Sequence, residues 1–233
     1  MRPKRVFAIV PELTQGDAVS TDALHLNQAL TSLGYTTAIM YNRNDLTDPT
    51  SHLRQVFGRI EAEPAAFKED ILLYHYAVEW PLGDQIYQKF PGKRILRYHN
   101  VTPPELLRPY NKQIADFCKR GRDNLKKLDV PDLLLAVSTE NLNDYQALTG
   151  NKSNSAVLPP YSQAEFLLSA ETDHRLATKL ESITEPKLLF VGRISPHKQV
   201  HQLIERIDAQ LQKQNRPKRK RSFFESAPFQ WLP

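Results

Sequence analysis

The sequence predicts an α/β protein built on a doubly wound parallel sheet, and three observations carry that expectation. Short apolar runs without polar alternation recur through the first 160 residues: Arg5 to Val10, Thr37 to Tyr41, Ile71 to Tyr76, Arg94 to Tyr98, Leu133 to Val137 and Ala156 to Leu158. Stretches with apolar residues at helical spacing fall between them, and continuous apolar strands alternating with helices argue for a parallel sheet covered on both faces. The composition agrees, since 40% hydrophobic and 24% charged residues in a 233-residue chain fit a protein that buries a core and exclude disorder over the whole length.

The elements follow in order. Arg5 to Val10 is read as the first strand, and Pro11 to Val19, which contains Gly16 and Asp17, as the loop after it. Ala23, Leu26, Leu30 and Leu33 share one helical face, with Ser20 or Thr21 able to cap the start and Gly34 the end. A weaker helix is expected around Leu53 to Ile60, and further helices over Leu82 to Phe90, Tyr110 to Leu128 and Asn141 to Leu148. After Pro159-Pro160-Tyr161 the pattern lapses into polar residues, with one helical segment near His174 to Leu180. A new strand, Lys187 to Val191, and a helix from about Val200 to Gln214 then begin a second unit. The expected organisation is a first domain over 1–160, a linker over 161–186, one strand and one helix over 187–214, and a basic tail over 215–233.

Charge and cysteine usage narrow the function classes. The net charge is +5, but five basic residues and one acid lie in 216–233, which leaves the rest almost neutral. The basicity belongs to the tail and not to the body, so nucleic acid is not an expected partner. Lys218, Arg219, Lys220 and Arg221 precede Phe223, Phe224, Phe229 and Trp231, a pattern read either as peripheral contact with anionic lipid or as a disordered or frame-shifted end. No apolar run approaches the roughly 20 residues that cross a bilayer. The basic start leads into a strand and not a signal peptide, so a cytoplasmic protein is expected, with the inner face of the membrane as the alternative. Cys118 is the single cysteine; it allows no intrachain disulfide and no zinc site of its own.

Ligands of open parallel sheets bind beyond the carboxyl ends of the strands, so those loops hold the candidates. Gly16-Asp17 precedes a helix N-terminus, where backbone N–H groups suit an anion or a sugar hydroxyl; the alternative is a plain turn. The spacing Gly-x-Gly-x-x-Gly is missing, so a dinucleotide cofactor is not supported. His75 closes the third strand, and His99 closes the fourth, followed by Asn100, Thr102 and Glu105 beside Pro103-Pro104. Each histidine can carry a proton or bind a hydroxyl, or can merely satisfy strand-end carbonyls. Arg193 and Lys198, five apart in Gly192-Arg-Ile-Ser-Pro-His-Lys198, can both point at a phosphate, or can form a solvated charged loop.

That last string resembles the Gly-Arg-x-x-x-x-Lys-Gly segment opening the donor lobe of the group 1, or family 4, glycosyltransferases, which have two Rossmann-like lobes. Gly16 to Asp22 is similar to the family's first glycine-containing loop, Arg94 to Glu105 resembles its acceptor-lobe histidine loop, and Val137 to Glu140 with Val157 to Pro160 looks like its end-of-lobe strand pair. The four occur in the family's order over about residues 4–212, and Gln199 stands where the family usually has Gly. The resemblance implies a Rossmann-like acceptor-side lobe over 1–160 and a stub of a second Rossmann-like lobe. It implies transfer of a sugar from a nucleotide-sugar donor to a glycan, lipid or small-molecule acceptor, with retention of configuration. Arg193 and Lys198 would then hold the donor diphosphate, and His99 would be catalytic, with Gly16, Asp17, His75, Asn100 and Glu105 on the acceptor side. No Asp-x-Asp occurs, in keeping with the metal-independent donor site that the resemblance implies, and no cofactor is expected. A second lobe usually needs on the order of 150 residues, whereas 47 follow Pro186. A truncated donor lobe, self-association through its stub, and a non-catalytic acceptor-binding module or inactive remnant are therefore also expected readings.

Overall fold

The structure is a computed structural model that describes residues 5–44, 51–152, 154–162, 168–184, 187–192, 195 and 198–213. Six strands form one parallel sheet: β1 (Arg5–Leu13), β2 (Thr36–Asn44), β3 (Ile71–Tyr76), β4 (Lys93–Tyr98), β5 (Leu133–Ala136) and β6 (Ser155–Val157). Their order is β2-β1-β3-β4-β5-β6, so the winding direction reverses between β1 and β3. This is a Rossmann-like α/β fold, and the crevice at the reversal is where such sheets take ligands.

Right-handed crossovers distribute the helices unequally. α1 (Ala18–Ser32) covers one face, where Leu26 and Leu30 pack on Val6, Ala8 and Leu73. The other face carries α2 (Ser51–Ala62), α3 (Pro81–Lys89), α4 (Lys112–Leu125) and α5 (Thr139–Thr149), whose side chains join Ile9, Leu72, Tyr74, Tyr76, Leu96, Tyr98 and Leu134 in the main core. The expectation of two covered faces therefore holds fully for one of them. On the α1 side Ile95 and Leu135 are only partly buried, and α1 is the helix among the described residues that packs on that face.

Local chemistry sets the boundaries. Asp17, and not Ser20 or Thr21 as expected, caps α1: its carboxylate accepts from the Ser20 N–H at 2.8 Å. Gly34 follows the last turn with φ 88°, a conformation that glycine takes without Cβ strain. Asn111 and Ser138 cap α4 and α5 in the same way, and Gly150 (φ 70°) closes α5. β1 runs three residues further than expected, to Leu13. Proline costs a central strand one ladder bond, yet the parallel pairing with β2 resumes at Glu12 and Leu13.

The chain divides into two compact units, Met1–Glu185 and Pro186–Pro233. Near the end of the first, α6 (His174–Glu181), capped by Asp173, lies exposed. In the second, α7 (Val200–Lys213) forms as its periodicity requires. The strand expected over Lys187 to Val191 does not form: its described residues pair with nothing, and Leu188, Leu189 and Val191 are 72%, 89% and 85% exposed. Apolar content makes a segment strand-like, but only a neighbouring strand satisfies its N–H and C=O groups. The tail expected over 215–233 lies outside the described residues.

Candidate functional site

The sheet's carboxyl edge next to the reversal holds a buried polar cluster. His75 on β3 and Arg97 on β4 are opposite one another in register, so their side chains leave the same face of the sheet. Two residues on, His99 leaves that face again just beyond the strand. α1 lies over this face and contributes Asp22, one helical turn before Leu26 on its inward side. His75 and Arg97 have no exposed side-chain surface, and Asp22 and His99 keep 4% and 7%.

Arg97 and Asp22 form a two-pronged pair, Nε to Oδ2 at 2.9 Å and Nη2 to Oδ1 at 3.0 Å. Arg97 Nη1 donates to the Leu158 carbonyl at 2.5 Å, and the Tyr161 N–H donates to Asp22 Oδ1 at 3.2 Å. The Tyr161 ring stacks on His25 of α1 at 3.5 Å. The chain leaving β6 is thus fastened to the cluster by a buried charge pair.

The two histidines meet directly, His75 Nδ1 to His99 Nε2 at 3.0 Å, and the backbone N–H of His99 donates to the Tyr76 carbonyl. Burial drives the His75 pKa well below its ordinary value, helped by His99 and Arg97. Burial also lowers that of His99 to about 4, with Asp22 and Asp17 pulling upward and Arg97 downward. Both rings are neutral at neutral pH. Asp22 Oδ2 lies 3.6 Å from His99 Nε2 and 3.9 Å from His75 Nδ1.

Asp22, His75 and His99 bring three ligand atoms within 4.8 Å of one another, a span that a divalent cation can bridge. Two features favour a hydrogen-bonded pair instead. The ring centroids are 5.2 Å apart with the nitrogens at 3.0 Å, so the nitrogens face each other almost head-on and not a common point. The Arg97 guanidinium already neutralises Asp22 and would repel a second cation.

The structure brings together some expected residues and separates others. Gly16 is exposed with φ 78°, and Asp17 is near enough to act on the His99 charge. Asn100, beside His99, takes φ 77°, which turns the chain sharply out of the strand; its Oδ1 is 3.5 Å from the Tyr98 hydroxyl. Glu105 is exposed on a short 3-10 turn, Pro104–Leu106. His75 was expected among the acceptor residues but lies wholly beneath His99, because alternation along β3 sends it under α1. Lys198 is exposed, its N–H donating to the Ser195 carbonyl at 3.0 Å, whereas Arg193 lies outside the described residues.

Sequence reasoning singled out neither Asp22 nor Arg97. A signal existed for both: an arginine inside the apolar run Ile95-Leu96-Arg97-Tyr98, and an aspartate in step with Leu26 and Leu30 on the buried helix face. Each is a charge that a buried face tolerates only with a partner.

No family model and no curated protein matches the chain. Among solved structures it is similar to a sucrose-phosphate synthase chain from Thermosynechococcus elongatus, at 15% identity and a TM-score of 0.43, over 77% of this chain and 100% of that one.

Proposed function

We propose that the chain is the acceptor-side part of a glycosyltransferase that moves a sugar from a nucleotide-sugar to an acceptor hydroxyl. The observation carrying this reading is the pairing of order and place. Two of the four family-like segments, Gly16 to Asp22 and Arg94 to Glu105, converge at the edge of the sheet where its winding reverses. The proposed chemistry breaks the bond from the sugar carbon to the diphosphate oxygen and forms one to the acceptor oxygen, with configuration retained and no metal required. Arg193 and Lys198 would stabilise the departing diphosphate electrostatically. His99 would contact the reacting sugar or acceptor, with Gly16, Asp17 and Asn100 lining the approach. Contact with a membrane surface through the basic tail belongs to the same proposal when the acceptor is a lipid.

Sugar transfer from a panel of nucleotide-sugars tests the reading, using this chain and a version in which a complete donor-side lobe follows residue 186. Transfer by the extended version, reduced at least tenfold by His99→Gln with only a small change in melting temperature, is the expected result. Equal losses of stability and activity would make His99 structural.

One observation favours a second reading, a binding module that does not turn over by itself. Residues 187–191, the segment leading to Arg193 and Lys198, are unpaired and exposed, Lys198 is exposed as well, and a solvated cation contributes little to affinity. The 233-residue chain is therefore expected to bind nucleotide-sugars weakly in calorimetry at moderate salt. Micromolar donor affinity together with sugar turnover that Arg193→Ala abolishes would rule this reading out.

A further inference from the structure

Neutral imidazoles whose nitrogens face each other at 3.0 Å share one proton, held either by His75 Nδ1 or by His99 Nε2. The two arrangements differ at the far side of each ring. With the proton on His99 Nε2, neutral His75 carries its own proton on Nε2. That atom is buried without a hydrogen-bond partner, so the arrangement leaves an orphaned N–H in the interior. With the proton on His75 Nδ1, the same buried atom keeps only a lone pair. Orphaned buried N–H groups are rarer than under-used acceptors, so the second arrangement is the better one. His99 then carries its proton on Nδ1, the nitrogen turned away from the pair.

We propose that His75 is a positioning residue that locks His99 as the Nδ1–H tautomer. His99 then meets a ligand as a neutral hydrogen-bond donor, and what it recognises is an oxygen acceptor: a hydroxyl, carbonyl or phosphate oxygen. It does not serve as a proton acceptor at that nitrogen. Its use on a sugar or a sugar acceptor rests on the glycosyltransferase reading above, whereas the tautomer does not.

The surrounding charges hold the arrangement. Asp22 from α1 and Asp17, which caps that helix, draw a proton toward His99, and Arg97 from β4 opposes a second one on either ring. Arg97 donates to each Asp22 oxygen, and Oδ2 stands 3.6 Å from His99 Nε2 and 3.9 Å from His75 Nδ1, so each histidine's nearer partner is the other at 3.0 Å. Burial outweighs the two carboxylates, so the donor state persists from about pH 5 upward.

Side-chain nitrogen NMR of the 15N-labelled chain, without substrate, reads the tautomer directly. The expected spectrum has His99 Nδ1 and His75 Nδ1 protonated and both Nε2 atoms bare, unchanged between about pH 5 and 9. The His99 signals are assigned by their loss in His99→Gln. In His75→Phe, which keeps an aromatic ring but removes the donor, the His99 proton is expected to move to Nε2, toward Asp22. If that variant does not fold, the wild-type spectrum decides alone. A proton on His99 Nε2 in the wild type, or either ring titrating between about pH 6 and 7, overturns the proposal. So does zinc binding at micromolar concentration that shifts both ring nitrogens at one ion per chain, which would make the cluster a metal site. A failed sugar-transfer assay bears on the function alone, because the position of the ring protons is read without substrate.

Discussion

β3 and β4 carry two polar sets on opposite faces, one residue apart in sequence, and the two are built differently. On the four-helix face every tyrosine hydroxyl finishes on a partner: Tyr74 donates to Asp84 at 2.9 Å, Tyr76 to the Gly121 carbonyl at 2.6 Å, and Tyr98 to Asp144 at 2.6 Å. Asp144 in turn is held by Arg122 from α4. On the α1 face His75, Arg97, His99 and Asp22 form an equally buried set that leaves His75 Nε2 without a partner. A set whose members are all satisfied fixes packing; one with an unmatched atom and an edge at the strand ends is where ligand chemistry is to be sought.

The largest effect should come from breaking the charge pair on the α1 face. Arg97→Met leaves Asp22 buried and unpaired, which costs about 3–5 kcal/mol in chemical denaturation. The double variant Asp22→Leu/Arg97→Met should regain most of that, and the shortfall measures the loss of the bonds to Leu158 and Tyr161. A double variant no better than the single would mean that these bonds, and not the charge balance, hold the cluster.

Next in size is a pH effect that takes opposite signs on the two faces. His99 takes up a proton near pH 6.5 when unfolded but only near 4 when folded. Between those values the unfolded chain binds more protons, so stability falls as the pH drops, by on the order of 3 kcal/mol for this residue. His75 acts in the same direction. Burial raises the Asp84 pKa to about 6, against the lowering pull of the Tyr74 hydroxyl. The folded chain therefore binds the extra proton between about 4 and 6, and stability there rises as the pH drops. Asp84→Asn removes the opposing contribution, so its stability should fall more steeply on acidification than the wild type's. Parallel denaturation curves for the two proteins from pH 7 to 4.5 would show that the two faces do not oppose each other.

The smallest effects test the tyrosine face. Tyr98→Phe leaves the buried Val101 N–H without its acceptor, although Asp144 keeps both bonds to Arg122, and should cost about 1–3 kcal/mol. Tyr76→Phe should cost less, about 1 kcal/mol, because the Gly121 carbonyl keeps its place in the α4 ladder. A reversed order would show that the Tyr76 bond, and not the Val101 N–H, anchors this face.

Much of this arrangement was readable from residue order. Ile71 to Tyr76 reads as a strand with the observed ends, an apolar run that opens directly after the charged stretch Lys68-Glu69-Asp70. That two histidines close two strands was equally legible. Their distance was not, because it depends on β3 and β4 being neighbours in register. The burial of His75 was hidden for a similar reason: β3 is apolar on both faces, so alternation names no inner side until α1 is placed. Lys187 to Val191 shows the opposite, an apolar run with strand character that has no pairing partner among the described residues.

The sequence by itself determined the fold class, the positions of nearly all strands and helices, and which loops hold the polar strand-end residues, because periodicity and capping are local properties of the chain. Only the tertiary structure decided that Asp22, 53 positions before His75 in the chain, sits against His75, Arg97 and His99. Whether a charge in a buried position is a fault or a partner depends on what the crossing helix brings to it, and that is settled by burial and Coulomb attraction across the sheet, not by spacing along the chain.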